Sequence, residues 1–187
     1  ISITPSDNKV TPGTGDDVIV LGTTLSAAVT EVEQSNDTVV YAGTFGKDTI
    51  VHFTVGANTV GGDKLDLSAI SGKASGGFLN DVGVVGFAVG AVVSNRIVID
   101  DKVATANDSQ TAVIAKFSDS GSATAASQVY IVVDAANVGS VWKITDAAAG
   151  TAGAVTAATG SNVTADLMGT IDLADTLWLN MVVANFA

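Results

Sequence analysis

Pro12-Gly13-Thr14-Gly15-Asp16-Asp17-Val18-Ile19-Val20 decides how this chain reads. It follows the nine-residue pattern G-G-x-G-x-D-x-U-x, with Pro in place of the first Gly. That pattern is a parallel β-helix repeat whose turns bind calcium. A second copy stands at Gly43-Thr44-Phe45-Gly46-Lys47-Asp48-Thr49-Ile50-Val51, with Thr for the second Gly. A weaker one, Gln34-Ser35-Asn36-Asp37-Thr38-Val39-Val40, keeps the Asp and the apolar position but has lost its glycines. Each Asp precedes a very short apolar run: 18–21, 38–41 and 49–53. Asp17 and Asp37 are 20 positions apart, and Asp37 and Asp48 are 11. Both spacings exceed a multiple of nine by two residues, which predicts irregular coils. It also predicts that Asp17 and Asp37 lie on one side, a full coil apart, with Asp48 opposite.

The turn chemistry explains the residue choice. Calcium takes roughly six to eight oxygens at about 2.3–2.6 Å. Glycines at positive φ aim backbone carbonyls inward, and an Asp adds a charged oxygen. Thr14, Gly15 and Asp17 are the first candidate ligand set, with Asp37 placed to complete it from the next coil. Gly43, Gly46 and Asp48 form the second. The competing reading is an ordinary Gly-Asp turn before a strand, without metal.

Composition agrees with a β fold. Of 187 residues, 47% are apolar but only 5% aromatic, so Val, Ile, Leu and Ala must fill the core. Twenty glycines and abundant Thr and Ser favour short strands joined by turns. Eight Lys plus Arg against 19 Asp plus Glu give a net charge of −11, the opposite of a nucleic-acid footprint. No apolar run reaches the roughly 18 residues of a membrane span. There is no cysteine, which excludes a disulfide framework but not an extracellular location. The chain opens at Ile1 without a charged-then-apolar leader, which reads as a fragment or processed form.

Residues 1–12 read as a linker, 13–75 as the repeat region, and 76–187 as a β-rich C-terminal domain. The expected fold is all-β: a short irregular calcium-binding β-roll, parallel and β-helix-like, followed by an antiparallel β-sandwich or an extension of the roll. In the second half, strands are expected at 96–99, 112–117, 128–133 and 140–144. The small-residue stretch 146–162 reads as a loop or weak strand. The chain ends in an apolar segment, 173–187.

Downstream of the second copy, Gly46-Lys47-Asp48-Thr49-Ile50-Val51-His52-Phe53 is followed by Asp63-Lys64-Leu65-Asp66-Leu67-Ser68-Ala69. This resembles the end of repeat domains in RTX-type, type I-secreted bacterial proteins, over residues 12–70. His52 stands where that family has Asp, and Asn58 to Gly61 lengthen the link. The resemblance implies that Asp63 and Asp66 lie near the last turn, where either binds calcium; the rival role for Asp66 is a turn cap. The second half is similar to the C-terminal part of RTX-type surface-layer proteins. That likeness implies a secreted, calcium-dependent, self-assembling cell-surface protein, with 173–187 read by a type I export machinery. The plainer reading of 173–187 is a last core strand. Cell-surface polysaccharide is a further candidate partner. The alternatives are an accessory domain of a secreted enzyme, such as a protease or lyase, or a cell-surface adhesin module.

Nothing in the chain points to catalysis of its own. His52 is the only histidine and has no Cys partner, so zinc and a Ser-His-Asp triad are disfavoured. Asp16-Asp17 and Asp100-Asp101 are adjacent residues that a strand sends to opposite faces, so they read as turn or solvated positions rather than a carboxylate pair. Trp142 and Trp178 read as core or interface anchors.

Overall fold

The computed structural model describes residues 7–21, 36–55, 62–72, 77–81, 90–100, 109–119, 124–136, 138–147, 153–154, 162–173 and 177–186. Residues 1–6 of the expected linker, most of the 146–162 stretch and Asp101 fall outside them.

Five short strands open the chain: β1 (Lys9–Val10), β2 (Val18–Val20), β3 (Thr38–Val40), β4 (Lys47–Val51) and β5 (Lys64–Asp66). The odd-numbered strands form one parallel sheet and β2 and β4 pair in parallel in another, so the chain winds between two sheets. Val10, Val39 and Leu65 stack in one register column, and Ile19 and Ile50 in the other. All five are buried. Each strand alternates, so only its central apolar residue points between the sheets. Fully burying such a side chain contributes about 1.5–3 kcal/mol, which lets strands of two or three residues hold.

The winding corrects the expected phase. From Val10 to Ile19 is nine residues, one half-turn of the winding. The following step, Ile19 to Val39, is also a half-turn, although it spans 20 residues. Asp17 therefore stacks on Asp48, and Asp37 lies across the winding. Sequence spacing misled because the half-turns differ in length, 9, 20, 11 and 15 residues from Val10 through Ile19, Val39 and Ile50 to Leu65. Lys9 and Val10 already belong to the winding, which starts before the expected boundary at residue 12.

The β2–β4 sheet continues into a mixed seven-stranded sheet, in the order β2-β4-β13-β11-β10-β8-β6. Its further strands are β6 (Phe78–Asp81), β8 (Ile97–Asp100), β10 (Ala126–Val133), β11 (Val138–Asp146) and β13 (Val163–Asp172). β11 is antiparallel to both its neighbours, whereas β8 is parallel to β6 and β10, and β13 to β4. The structure is thus all-β in its main elements, but the expected antiparallel second half is a mixed sheet. β10 is buried on both faces: Val129, Ile131 and Val133 join the core of the winding, while Tyr130 and Val132 join a second core with Val98, Trp142 and Ile144. A central strand covered on both sides reads as a near-continuous apolar run, which is why it was visible in the sequence.

A small third sheet packs alongside: β7 (Gly90–Ala91), β9 (Phe117–Asp119) and β12 (Gly153–Ala154). Helix α1 (Ser68–Ser71) follows β5, and the expected strand 112–117 is instead helix α2 (Gln110–Ile114), followed by β9. The Ser109 hydroxyl accepts the Ala112 N–H at 3.2 Å, capping the helix. Val113 is buried in the second core, and that packing overrides the strand preference of Val-Ile. Asp100, expected at a solvated position, is buried. It accepts the Tyr130 hydroxyl at 2.5 Å and lies 3.7 Å from the Lys116 ammonium.

The apolar C-terminal segment is not a strand. Beyond β13 it forms two 3-10 turns, Leu177–Asn180 and Val183–Asn185, and Phe186 makes a parallel bridge to Leu65. Both tryptophans are core residues as expected, with Trp178 packed so closely over Gly139 that a Cβ there would lie 2.6 Å from its ring.

Candidate functional site: the aspartate rungs

Each coil enters its strand through an Asp or Asn, and these residues form rungs from one coil to the next. On the β2–β4 side, Asp16 Oδ1 accepts the Lys47 N–H at 2.9 Å, and Asp48 Oδ1 accepts the Asp17 N–H at 3.0 Å. On the other side, Asp7 Oδ1 accepts the Asn36 N–H at 2.9 Å. Asp37 Oδ1 accepts the Asn8 N–H and side-chain amide at 2.9 and 3.0 Å. The pattern is reciprocal: the outer residue of the first coil holds the second, and the inner residue of the second holds the first. A third coil extends it, because Asp63 Oδ1 accepts the Asp37 N–H at 3.0 Å while Oδ2 accepts that of Thr54 at 2.7 Å. Hydrogen bonds to charged groups contribute about 1.5–3 kcal/mol each, so these rungs do the work that side-chain packing does in longer strands.

The glycines make this approach possible. Gly13, Gly15 and Gly43 have φ of 93°, 115° and 75°, which other residues reach only with strain. Gly46 is required for a different reason. A Cβ there would lie 2.3 Å from the Gly15 carbonyl oxygen and 2.6 Å from Asp16 Oδ1.

The predicted ligands divide accordingly. Gly15, Asp17, Gly46 and Asp48 come together at one rung; Asp37 and Asp63 come together at the other. Asp37 does not complete the Asp17 set, because it belongs to the opposite sheet. Thr14 and Gly43 are exposed in their turns. Asp66 takes the turn-cap role: its Oδ1 accepts the N–H and hydroxyl of Ser68, at 3.1 and 2.5 Å, and its Oδ2 lies 3.9 Å from the Lys9 ammonium. Asp7, Asn8 and Asp16 were not singled out as ligands. A signal existed, since Asp7-Asn8-Lys9-Val10 stands nine residues before Asp16-Asp17-Val18-Ile19.

Two carboxylates are conspicuous. Asp37 Oδ2 is buried and has no hydrogen-bond partner. Asp48 is buried as well, and beside the Asp17 N–H its carboxylate interacts with the buried Tyr41 hydroxyl. Burial pushes the Asp48 carboxyl up from its ordinary pKa; the Asp17 N–H and the Tyr41 hydroxyl oppose this, and the nearby Asp17 and Asp16 charges add to it. Burial, and then the neighbouring Asp48 carboxylate, push Tyr41 far above the ordinary tyrosine range. A buried ionised oxygen without a partner is costly, and a bound cation removes that cost. Among the described residues no three His, Cys, Asp or Glu side chains converge as a metal cage. Calcium therefore fits these rungs only as a site in which backbone carbonyls and water accompany one or two carboxylates, as its oxygen-rich coordination permits.

Comparison with protein-family models, with curated proteins and with solved structures gave no match. Among the described residues no helix is long and apolar enough to cross a membrane.

Proposed function

We propose that this chain is a calcium-stabilised structural module of a secreted, RTX-type surface protein that self-assembles at the bacterial cell surface. The observation that carries the reading is the buried, unpartnered Asp37 Oδ2, with a second buried carboxylate, that of Asp48, across the winding. A divalent cation at either rung gains a charged ligand that the fold already holds in place. Without a cation the acidic rungs repel and cost desolvation, so a low-calcium compartment disfavours the winding. Self-assembly draws on the first coil. β1 and β2 are the outer strands of their sheets, and Val18 on β2 is 57% exposed. The outer strand of a sheet is where a further strand can add.

The test is thermal unfolding in millimolar calcium against chelator. Free calcium at about 100 times its dissociation constant adds about 2.7 kcal/mol. That raises the melting temperature by about 5–10 °C for a chain of this size. Asp37→Asn and Asp48→Asn should each cut the shift. Equal melting temperatures with calcium and chelator, at a calcium concentration that saturates comparable oxygen sites, sink the proposal.

A further inference from the structure

The geometry points to Asp63 as a hub that couples the chain's last residues to the aspartate rungs, so that the C-terminal segment acts as a strap on the winding. Asp63 is 1% exposed and is engaged on every side. Its carboxylate holds the N–H groups of Asp37 and Thr54, and its own N–H donates to the Thr54 carbonyl at 2.9 Å. Its carbonyl accepts the Asn185 side-chain amide at 2.9 Å, across 122 residues of sequence. Asn185 is wholly buried, and its own Oδ1 accepts the Val182 N–H at 3.1 Å, which fixes the amide's orientation. One residue further, Phe186 bridges Leu65 on the outer edge of β5, and its ring lies 5.3 Å from that of Phe78. The strap thus covers a sheet edge and satisfies a buried donor at one point, the peptide that also carries the last rung.

The consequence is reciprocal. A buried amide that loses its acceptor leaves an unmet donor, so the strap holds only while Asp63 is in place. By linkage, a docked strap stabilises the rungs by the same factor that closed rungs stabilise the strap. The winding then closes fully only when residues 182–186 have docked. This coupling is a property of the protein groups and holds whether or not a cation binds, so it fails or stands apart from the calcium reading.

Native-state hydrogen exchange on the full chain tests it, in chelator throughout. Asn185→Ala should speed exchange at the Asp37 and Thr54 amides by about tenfold, the scale of one lost buried hydrogen bond, although the Asn185 side chain bonds to Val182 and Asp63 rather than to either of them. Exchange at Tyr130, in the second core, should change much less. Asp63→Asn should in turn speed exchange at Asn185 and Phe186. If Asp63→Asn does not fold, Phe186→Ala serves as the second strap variant, read at the same Asp37 and Thr54 amides. Unchanged exchange at Asp37 and Thr54 in the strap variants overturns the inference. So does an equal acceleration at Tyr130, which marks a global loss of stability rather than a coupling of strap to rung.

Discussion

Replacing Gly46 by Ala probes the closest approach between coils. An added Cβ would lie 2.3 Å from the Gly15 carbonyl oxygen, 2.4 Å from its carbon and 2.6 Å from Asp16 Oδ1. Two of these atoms are backbone, so no side chain can swing away. Restoring ordinary contact needs roughly 1 Å of separation between the coils. The bonds Lys47 N–H to Asp16 and Asp17 N–H to Asp48, now 2.9 and 3.0 Å, would stretch out of hydrogen-bond range. Two charge-assisted bonds at about 1.5–3 kcal/mol each set the gross loss at about 3–6 kcal/mol. Lower backbone entropy in the unfolded chain returns about 0.4–1 kcal/mol to the Ala variant. The expected net destabilisation is about 2–5 kcal/mol, or a melting point lower by about 5–15 °C. Urea denaturation should show a lower midpoint at unchanged slope, since the fold and its buried surface are kept. The contrast is Gly13→Ala, where a Cβ meets nothing within 4 Å and only the positive φ is strained. That variant should lose about 1–2 kcal/mol. If Gly46→Ala melts within about 2 °C of the wild type, the close rung contact is not what holds the coils.

Gly169→Ala should also destabilise, by about 1–3 kcal/mol, because its Cβ would lie 2.3 Å from the Phe45 ring and 2.7 Å from the Phe45 carbonyl oxygen. Circular dichroism melts of that variant check it, and a neutral result would mean that the bulge at Met168 can relax. Tyr41→Phe should destabilise the protein by about 1 kcal/mol, since it removes the hydroxyl that interacts with the buried Asp48 carboxylate. Tyr41 titrates higher in the folded state than in the unfolded chain, so its contribution is lost as pH rises above about 10, where only the unfolded chain releases the proton. The Phe variant should therefore lose less stability there in urea titrations, and parallel losses would refute the assignment. Asp48 is likewise raised in the folded state, so its share of stability is present at low pH and lost as pH rises through its folded value. Wild type should gain on Asp48→Asn as pH falls from neutral towards about 4 in calcium-free buffer, and a constant difference between the two would overturn that view.

The legible parts of the fold were those written in local pattern. β10 and β11 carry long apolar runs, β2 and β3 each follow an Asp, and β4 holds one at its second position, so their existence needed no tertiary knowledge. β13 was not read, although it is ten residues long. Asp166, Gly169 and Asp172 interrupt its alternation, and the bulge between its pairings with Val141 and Trp142 shifts the phase. α2 was misread because Ala-Val-Ile-Ala suits a strand until Ser109 caps it and Val113 finds the second core. In the candidate site, glycine and aspartate positions were legible, whereas their grouping was not. Grouping depends on how many residues each connection consumes, and the 20-residue step from Ile19 to Val39 resembles a full coil in length while making half of one.

By itself the sequence determined composition-level facts and local conformations: an acidic, cysteine-free, Val- and Gly-rich chain, short strands behind Asp turns, and glycines where the backbone needs positive φ. These follow from the nearest few residues. Only the tertiary structure decided that Asp17 stacks on Asp48, that Asp63 meets Asn185, and that one sheet runs from the first coils through β13 into the second half. Those contacts join residues 31 to 122 positions apart. Whether such distant groups meet is set by the winding of the whole chain and by which buried donors and acceptors would otherwise go unpaired.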